Sequence, residues 1–200
     1  MDINTCFNKA KTCKLCYGNE PICVPLPDPQ NGKKDVEIMF INERPGRIGP
    51  GLSGYVSFDN DDPSANHFRE CFEQLRIERR KIFITNACIC YPQKEGYKDT
   101  VPSLQEIKNC QVWLKQQIEI VNPKIIVTIG NIALRAIKIA FPFSKDLKMF
   151  RLSKNIGEVI KDTDIRIYPL YHTSLRARIT RKAEQQKKDW SKIRDLLEEV

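Results

Sequence analysis

The sequence lacks the long apolar run that a membrane-spanning helix requires. Its longest apolar stretch, residues 124–143, is interrupted by Gly130, Asn131, Arg135 and Lys138, which makes it too polar to cross a bilayer. The first 16 residues contain no apolar core, so we expect no signal peptide. We therefore expect a cytoplasmic protein that contacts no membrane. In that reducing compartment the eight cysteines are more suited to metal binding or burial than to disulfides.

Internal repeats and low-complexity segments are also absent. A chain of 200 residues can bury a sizeable core, and a hydrophobic fraction of 41% favours a globular over a disordered chain. We expect one monomeric domain over residues 1–200. Its segment 1–36 should be loop-rich, because Pro21, Pro25, Pro27 and Pro29 forbid a long helix there.

Acidic residues are outnumbered by basic ones. The 33 Lys and Arg residues against 25 Asp and Glu residues give a net charge of +8. This balance favours a polyanionic partner, with nucleic acid first among the candidates. An ordinary basic surface is the alternative, since net charge informs about partners and not about fold.

Four short segments rich in β-branched and aromatic residues indicate buried strands, at residues 37–41, 82–84, 124–129 and 165–171. Helical patterns separate and follow them, at residues 64–76, 103–121, 131–139 and 182–197. Residues 141–164 are less regular, and short strands are expected around Gly157. The alternation predicts an α/β fold, a three-layer α/β/α sandwich around a four-stranded, mainly parallel sheet.

Polar residues mark the ends of these elements. Ser64 and Asn131 can each cap a helix, and Ser103 with Glu106 three residues later forms a capping-box pattern. Ligands of parallel sheets bind outside the carboxyl ends of the strands. We therefore expect the residues at the four strand exits to converge on one cleft, namely Glu43, Asn86, Gly130 with Asn131, and His172.

Four cysteines have the arrangement of metal ligands. Cys13 and Cys16 form one Cys-x-x-Cys pair, and Cys90 and Cys110 follow at a distance. Four thiolates suit either zinc or a [4Fe–4S] cluster. Zinc ribbons usually use two such pairs, so one pair plus two separate thiols favours iron–sulfur.

The other cysteines have plainer interpretations. Cys71 lies on the apolar face of a predicted helix and Cys88 lies beside a core strand, so both are expected to be buried hydrophobic residues. Cys6 and Cys23 have no partner at a fixed spacing. Cys23 could still replace one of the four proposed ligands.

Taken in order, these motifs resemble those of the iron–sulfur uracil-DNA glycosylases, families 4 and 5 of that superfamily, over nearly the whole chain. The matching positions are Cys13 and Cys16, Glu43 with Pro45 and Gly46, Thr85-Asn86 with Cys90 and Pro92, Cys110, Ile129-Gly130 with Ala133, and His172-Thr173-Ser174.

The resemblance implies a uracil-DNA glycosylase-like fold and a monofunctional hydrolase. Such an enzyme flips uracil, or another deaminated base, out of DNA and cleaves its N-glycosidic bond in base excision repair. The resemblance also implies a [4Fe–4S] cluster on Cys13, Cys16, Cys90 and Cys110. The expected partner is uracil-containing DNA, single- or double-stranded. The implied base pocket is lined by Glu43, Phe58 and Asn86, with His172 near the scissile bond.

Four positions depart from the family pattern. Asn42 stands where the family has Gly, Arg44 where it usually has Ala or Gly, Gly49 where family 4 carries an acidic residue, and Thr173 where it has Pro. These departures motivate a second hypothesis, a catalytically weak nucleic-acid-binding module. A structural zinc protein of the same sheet class is the third.

Base cleavage builds positive charge on the sugar and negative charge on the base, so an anion and hydrogen-bond donors are needed. Phe58 with Asp61 resembles the Phe-x-x-Asp of family 5. Asp61 is therefore our candidate to orient water or to offset the sugar's charge, although a solvated loop carboxylate is the alternative. Glu43 is the next candidate, and it could instead bond the amides of its own loop.

Asn86 offers a donor and an acceptor that match a pyrimidine edge, or it simply forms a turn. Phe58 could stack on a flipped base or pack in the core, and His172 could donate to the base or contact a phosphate. After His172, the residues expected to hold DNA phosphates are Ser174, Arg176, Arg178 and Arg181, although a solvated helix end is the alternative for the arginines.

Overall fold

The computed structural model describes residues 2–199. The strands there are β1 (Ile22–Cys23), β2 (Leu26–Pro27), β3 (Ile38–Asn42), β4 (Tyr55–Val56), β5 (Ile82–Asn86), β6 (Tyr91–Pro92), β7 (Ile125–Ile129) and β8 (Arg166–Leu170). The helices are α1 (Ile3–Ala10), α2 (Pro50–Ser53), α3 (Pro63–Glu73), α4 (Leu104–Asn109), α5 (Gln111–Val121), α6 (Asn131–Ala140), α7 (Lys145–Met149), α8 (Leu152–Asn155), α9 (Leu175–Thr180) and α10 (Ala183–Glu198), with a 3₁₀ turn at Arg79–Lys81.

The central sheet has the strand order β5-β3-β7-β8, and every neighbouring pair is parallel. All residues of β5 and β7 are buried, as expected for parallel strands that helices cover on both faces. Two two-stranded pairs stand apart from this sheet, β1 with β6 and β2 with β4. The predicted four-stranded parallel sheet is confirmed.

Alternate residues of β3 point to opposite faces of the sheet, as the period of two requires. Met39 and Ile41 enter a cluster that contains residues of α4, α5, α6 and α7. Ile38 and Phe40 enter a second cluster with residues of α3 and α10, where the Phe40 ring stacks on Trp190 with centroids 5.2 Å apart. The predicted three-layer α/β/α sandwich is therefore confirmed.

The N-terminal segment packs against the chain that follows β5. Phe7 and Ala10 of α1 are buried in a third cluster with Val24, Ile89 and Cys90. The antiparallel pairing of β1 with β6 places Cys23 opposite Tyr91. The segment predicted to be loop-rich thus contains a helix, which Asp2 caps by accepting a hydrogen bond from the Thr5 amide at 2.8 Å.

Other elements also differ from the sequence prediction. The segment expected to form short strands around Gly157 contains α7, which Ser144 caps through a 2.9 Å bond from the Leu147 amide, and α8. Its extended pairing within residues 2–199 is limited to an antiparallel bridge of Ile160 with Ile167. The predicted helix over 103–121 is divided at Cys110, although its Ser103–Glu106 capping box is present. Within residues 2–199, no helix combines the length and apolar character needed to cross a membrane.

Candidate active site

A cavity of about 390 Å³ opens at the carboxyl ends of the central strands. Glu43 follows β3, Asn86 ends β5 and His172 follows β8, and all three line the cavity together with Phe58. Gly130 and Asn131, at the exit of β7, do not line it. The structure therefore brings three of the four predicted strand exits together.

Gly130 nevertheless shapes the site by letting the chain pass close to His172. Its φ is +90°, and a Cβ there would lie 3.1 Å from the Cβ of His172. A residue with a side chain would be strained by this dihedral and crowded by the imidazole. Gly130, and not the predicted Asn131, is also the residue that precedes the first turn of α6.

Asn86 is a deeply buried polar group of the cavity wall, with 3% of its surface exposed. Its Oδ1 atom is enclosed and has no hydrogen-bond partner within residues 2–199. Leaving a buried acceptor unpaired costs about 1–3 kcal/mol. The amide is therefore placed to accept a hydrogen bond from a ligand.

His172 is held as a neutral hydrogen-bond donor. The Ser174 amide donates to its Nδ1 at 3.0 Å, so the neutral ring carries its hydrogen on Nε2. Burial lowers the pKa of the imidazole, and the Asp62 carboxylate opposes this shift. At neutral pH His172 can thus donate through Nε2 without carrying a charge.

Glu43 is a partly buried carboxyl group beside an arginine. Burial raises its pKa, and the charge of Arg44 counteracts that rise. The backbone carbonyl of Glu43 accepts a hydrogen bond from the Cys88 amide at 3.0 Å. The loop after β3 is therefore fixed to the segment after β5, which carries one of the proposed cluster ligands, Cys90.

The sequence left open whether Phe58 packs in the core or lines the base pocket, and its side chain does both. Its ring lies 5.5 Å from that of Phe68 in a stacked arrangement and 5.0 Å from that of Phe72. The Arg79 guanidinium lies over the ring, 4.9 Å from its centroid. Phe58 is thus a rigid part of the core that also forms a wall of the cavity.

Asp61, the predicted catalytic carboxylate, is exposed and is not among the residues that line the cavity. The neighbouring Asp62 lines it instead. Asp62 also caps α3, because its Oδ1 accepts hydrogen bonds from the amides of Ser64 and Ala65 at 2.9 and 3.0 Å. The cap that the sequence assigned to Ser64 therefore belongs to Asp62. The sequence carried a signal for this, an acidic residue directly before Pro63.

Arg44, in the loop after β3, connects that loop to segments that lie near the cysteines in the sequence. Only 6% of its side chain is exposed, and its Nη2 lies 2.5 Å from a carboxylate oxygen of Glu106. The guanidinium also donates to the hydroxyls of Tyr17 and Tyr97. Burial acts to raise the pKa of Glu106, but hydrogen bonds from Tyr17 and Arg44 outweigh it and lower that pKa to about 2.

The four proposed ligand thiols lie near one another. Hydrogen bonds from Cys16, Cys88 and Cys90 lower the pKa of Cys110 far below its ordinary value. The pKa of Cys90 is raised by its hydrogen bond to Cys110 and by burial, and the charges of Cys16 and Cys13 add to that rise. The interactions connect residues from three separate segments of the chain.

The thiols are not arranged around a single ion. Within the described part of the chain, no three side chains of His, Cys, Asp or Glu could hold a metal ion. Four cysteine thiols are nevertheless the usual donor set of a four-iron cluster, and the chemistry of this set fits that group.

Cys88 and Cys23, which the sequence analysis did not place among the four preferred ligands, have different surroundings. Cys88, expected to be a plain buried residue, is buried and also lies close enough to Cys110 to lower the pKa of that thiol. Cys23 lies opposite Tyr91 in the pairing of β1 with β6, where burial and the Cys23 thiol raise the pKa of the Tyr91 hydroxyl. No sequence spacing separates these two cases, because only the fold decides which thiols meet.

The proposed phosphate-binding residues have unequal surroundings. Arg176 is exposed, whereas Arg181 makes a two-pronged ion pair with Asp189 at 2.8 and 2.7 Å. Ser174 caps α9 by accepting a hydrogen bond from the Ala177 amide. The Nε of Arg178 is enclosed and unpaired within residues 2–199. Arg176 is therefore the freest of these cations to contact a ligand.

Comparison with known proteins gives one family. Residues 29–197 match the family model described as the uracil DNA glycosylase superfamily. A type-5 uracil-DNA glycosylase of Pyrobaculum aerophilum is 28% identical over 160 residues, which cover 74% of this chain and 66% of that protein. A type-4 uracil-DNA glycosylase of Sulfurisphaera tokodaii is 30% identical over 84% of this chain and 73% of the relative. A type-4 enzyme of Archaeoglobus fulgidus is 26% identical over 84% and 80%.

Proposed function

Because this chain belongs to the uracil DNA glycosylase superfamily, we propose that it removes uracil from DNA by hydrolysing the bond between the base and deoxyribose. The observation that carries the proposal is the buried, unpaired Oδ1 of Asn86 in the cavity wall. The curated relatives with this activity are of types 4 and 5, the two families that the sequence motifs resemble.

The cavity suits a single nucleobase. Its volume of about 390 Å³ lies in the lower part of the range of about 300–1,000 Å³ for small-molecule sites. A base within a duplex cannot reach such a cavity unless it is turned out of the helix. The enzyme must therefore bind an extruded nucleotide and hold the flanking strand.

Asn86 is proposed to read the extruded base. Its Oδ1 accepts from the imide N–H of uracil, and its Nδ2 donates to the adjacent carbonyl. His172 donates from Nε2 to a carbonyl of the base and stabilises the negative charge that builds up there as the bond breaks. A neutral donor suffices for this role, which agrees with the lowered pKa of the ring.

A carboxylate is required on the sugar side of the cavity, because the deoxyribose becomes positively charged in the transition state. Glu43 lines the cavity and is proposed to face the substrate from the loop after β3. Asp61 does not line it, which removes the geometric support for its proposed role.

We also propose that Cys13, Cys16, Cys90 and Cys110 hold a [4Fe–4S] cluster. Four cysteine thiolates are the usual donor set for this cluster, and the mutual effects of these thiols on their pKa values support their closeness. When bound, the cluster supplies an inorganic cross-link between three chain segments. The residues that surround it hold the loop of Glu43 in place.

DNA is the proposed macromolecular partner, in agreement with the net charge of +8. The exposed Arg176, with Arg178 and Ser174, follows His172 directly and is proposed to contact phosphates beside the extruded nucleotide. Arg181 supports this segment through its ion pair with Asp189 and is the least available of the predicted contacts.

The test is incubation with single- and double-stranded oligonucleotides that carry one uracil, hypoxanthine or xanthine, followed by alkali treatment. We expect alkali-labile abasic sites in the uracil substrates and none in matched oligonucleotides carrying thymine. Binding without product at stoichiometric enzyme would instead identify a nucleic-acid-binding module. Bound zinc in place of iron and sulfide would contradict the cluster but leave the glycosylase proposal standing.

A further inference from the structure

A second cavity, which we call the side groove, adjoins the base cavity. Its volume is about 420 Å³, which lies within the range of about 300–1,000 Å³ for small-molecule sites. Arg44 and Thr100 line both cavities. A molecule that fills the base cavity therefore has the side groove as its immediate neighbour.

One loop, residues 94–101, borders both cavities. Its last three residues line the base cavity, whereas Lys94, Tyr97 and Lys98 line the side groove. The Asp99 carboxylate accepts hydrogen bonds from an amide of the loop after β3, at 3.2 Å to each oxygen. The position of the side groove relative to the base cavity is therefore set by direct contacts between the two loops.

Tyr97 presents an aromatic ring that is fixed at two points. The ring lies parallel to that of the buried Tyr91, with centroids 5.8 Å apart and planes 6° apart. Its hydroxyl accepts a hydrogen bond from Nη1 of Arg44 at 3.1 Å. A ring held in one orientation can stack on a base with little further loss of conformational freedom.

The side groove also carries two lysines whose charges no ion pair neutralises. The carboxylate of Glu106 lies in its lining but is matched by Arg44, whose Nη2 is 2.5 Å away. Lys94 and Lys98 are exposed and have no ion-pair partner within residues 2–199. Glu95, between them in the sequence, does not line the groove. The two ammonium groups are thus available to a phosphate.

We propose that the side groove binds the nucleotide next to the extruded one on the same single strand of DNA. Its base stacks on Tyr97, and its phosphate contacts Lys94 and Lys98. A basic groove with an aromatic platform is the combination that binds single strands. The inference rests on the proposed glycosylase function and extends it from a one-base site to a two-nucleotide site. One phosphodiester joins successive nucleotides, so a strand that enters the base cavity brings its neighbour to the adjoining groove.

The first test is a coupling experiment on binding. Its probe is a single-stranded oligonucleotide with one 2′-fluoro-2′-deoxyuridine, whose electron-withdrawing fluorine disfavours a cationic sugar and so keeps the glycosidic bond intact. Matched probes carry a tetrahydrofuran residue, which lacks a base, directly before or directly after the uracil. Fluorescence anisotropy gives Kd for the wild type, Tyr97→Leu and Tyr97→Phe, and circular dichroism verifies that both variants fold.

On the complete probe we expect Tyr97→Leu to weaken binding about fivefold or more, because a stack between base and ring is lost. On the probe that lacks the base held by the groove, the same substitution should cost less than about twofold. Tyr97→Phe keeps the ring and removes only the hydroxyl that Arg44 contacts, so it should bind each probe within about twofold of wild type. Equal losses from Tyr97→Leu on all three probes would overturn the proposal.

Replacing both Lys94 and Lys98 with Ala tests the position of the phosphate. Loss of one phosphate contact should reduce the slope of log K against log salt by about 0.7 on a single strand. The control replaces Lys145 and Lys148, two exposed lysines of α7 that line neither cavity, and should leave the slope unchanged. Equal slopes in the two double variants would contradict the assignment. A reduced slope without the base coupling would leave only a phosphate contact and would also overturn it.

These binding measurements need no bond cleavage, which separates them from the test of the proposed function. A chain that excises uracil but shows no coupling overturns the side groove and keeps the glycosylase. A chain that shows the coupling but forms no abasic product keeps the side groove as a single-strand binding site and refutes the glycosylase.

Discussion

The unpaired Oδ1 of Asn86 gives the cavity a chemical preference at the scale of single residues. A ligand that donates an N–H to this atom satisfies it. A ligand that displaces water from it without donating leaves a buried acceptor unpaired, at a cost of about 1–3 kcal/mol. The cavity wall at Asn86 thus favours bases with an imide edge, independently of any contact to the DNA backbone.

Replacing Asn86 with Ala should lower excision far more than DNA affinity. Two hydrogen bonds to the base are lost, and each tenfold change in rate corresponds to about 1.4 kcal/mol, so we expect about a 100-fold loss in single-turnover rate. Asn131→Ala is the matched control, because Asn131 follows another strand of the same sheet but does not line the cavity. Equal losses in rate and affinity would refute the base-reading role.

His172 should titrate below its ordinary pKa of 6.5, because burial disfavours its charged form. An NMR titration of the imidazole will measure this. Since Asp62 raises the pKa against burial, Asp62→Asn should lower it further, whereas Asp61→Asn should leave it unchanged.

The lowered pKa of His172 also determines how the stability of the protein changes with pH. The unfolded chain binds a proton near pH 6.5 while folded His172 still resists it, so the free energy of unfolding falls as pH drops through about 6.5. His172→Gln should flatten this part of the pH dependence in urea unfolding. A steeper dependence in the variant would show that the histidine is charged in the folded protein.

At the scale of elements, sequence patterns located the strands and one capping box but not the short helices. The apolar runs of β3, β5 and β7 have lengths and β-branched contents that only a buried strand satisfies. The pattern at Ser103 and Glu106 was equally direct, and the structure contains that capping box. Helix α1 was missed because the prolines that follow it dominated the prediction for the whole segment.

Other features depend on contacts that no local pattern contains. The division of α4 from α5 at Cys110 and the meeting of Cys88 with Cys110 arise from packing between distant segments. The same holds for Asp62, whose position in the cavity follows from the way α3 enters the fold. Fold class and strand exits were predictable, whereas the choice between adjacent aspartates was not.

The ion pair of Arg44 with Glu106 should support the loop after β3. Glu106→Gln keeps an acceptor for the Ser103 amide but leaves Arg44 charged and 6% exposed. Breaking such a buried pair costs about 3–5 kcal/mol, so we expect a loss near the lower limit in urea unfolding. Glu78→Gln breaks the exposed pair with Arg80 and should cost less than about 1 kcal/mol. Equal losses in the two variants would contradict the structural role.

At the scale of the whole molecule, the cysteines bring together the N-terminal segment, the chain after β5 and the start of α5. The substitutions Cys90→Ala and Cys88→Ala provide a matched pair, since both thiols are buried and both lower the pKa of Cys110. We expect Cys90→Ala to lose iron and visible absorbance, and Cys88→Ala to retain four irons per chain. Retention of iron by Cys90→Ala would refute the proposed ligand set.

The basic segment after His172 should account for part of the salt dependence of DNA binding. Each phosphate contact contributes about 0.9 to the slope of log K against log salt. Replacing Arg176 and Arg178 with Ala should therefore reduce that slope by up to about 2. Arg135→Ala, at another exposed position, should leave it unchanged, and an unaltered slope in the double variant would exclude both arginines from phosphate contact.

The strand order β5-β3-β7-β8 also fixes when the site becomes complete during synthesis. As the ribosome extends the chain, β3, β5 and β7 emerge and can pair first, with Asn42 opposite Asn86 and Glu43 directly after β3. The edge strand β8 emerges later and brings His172 with it. A chain that ends before residue 166 lacks β8 and His172, so its cavity is open on that side.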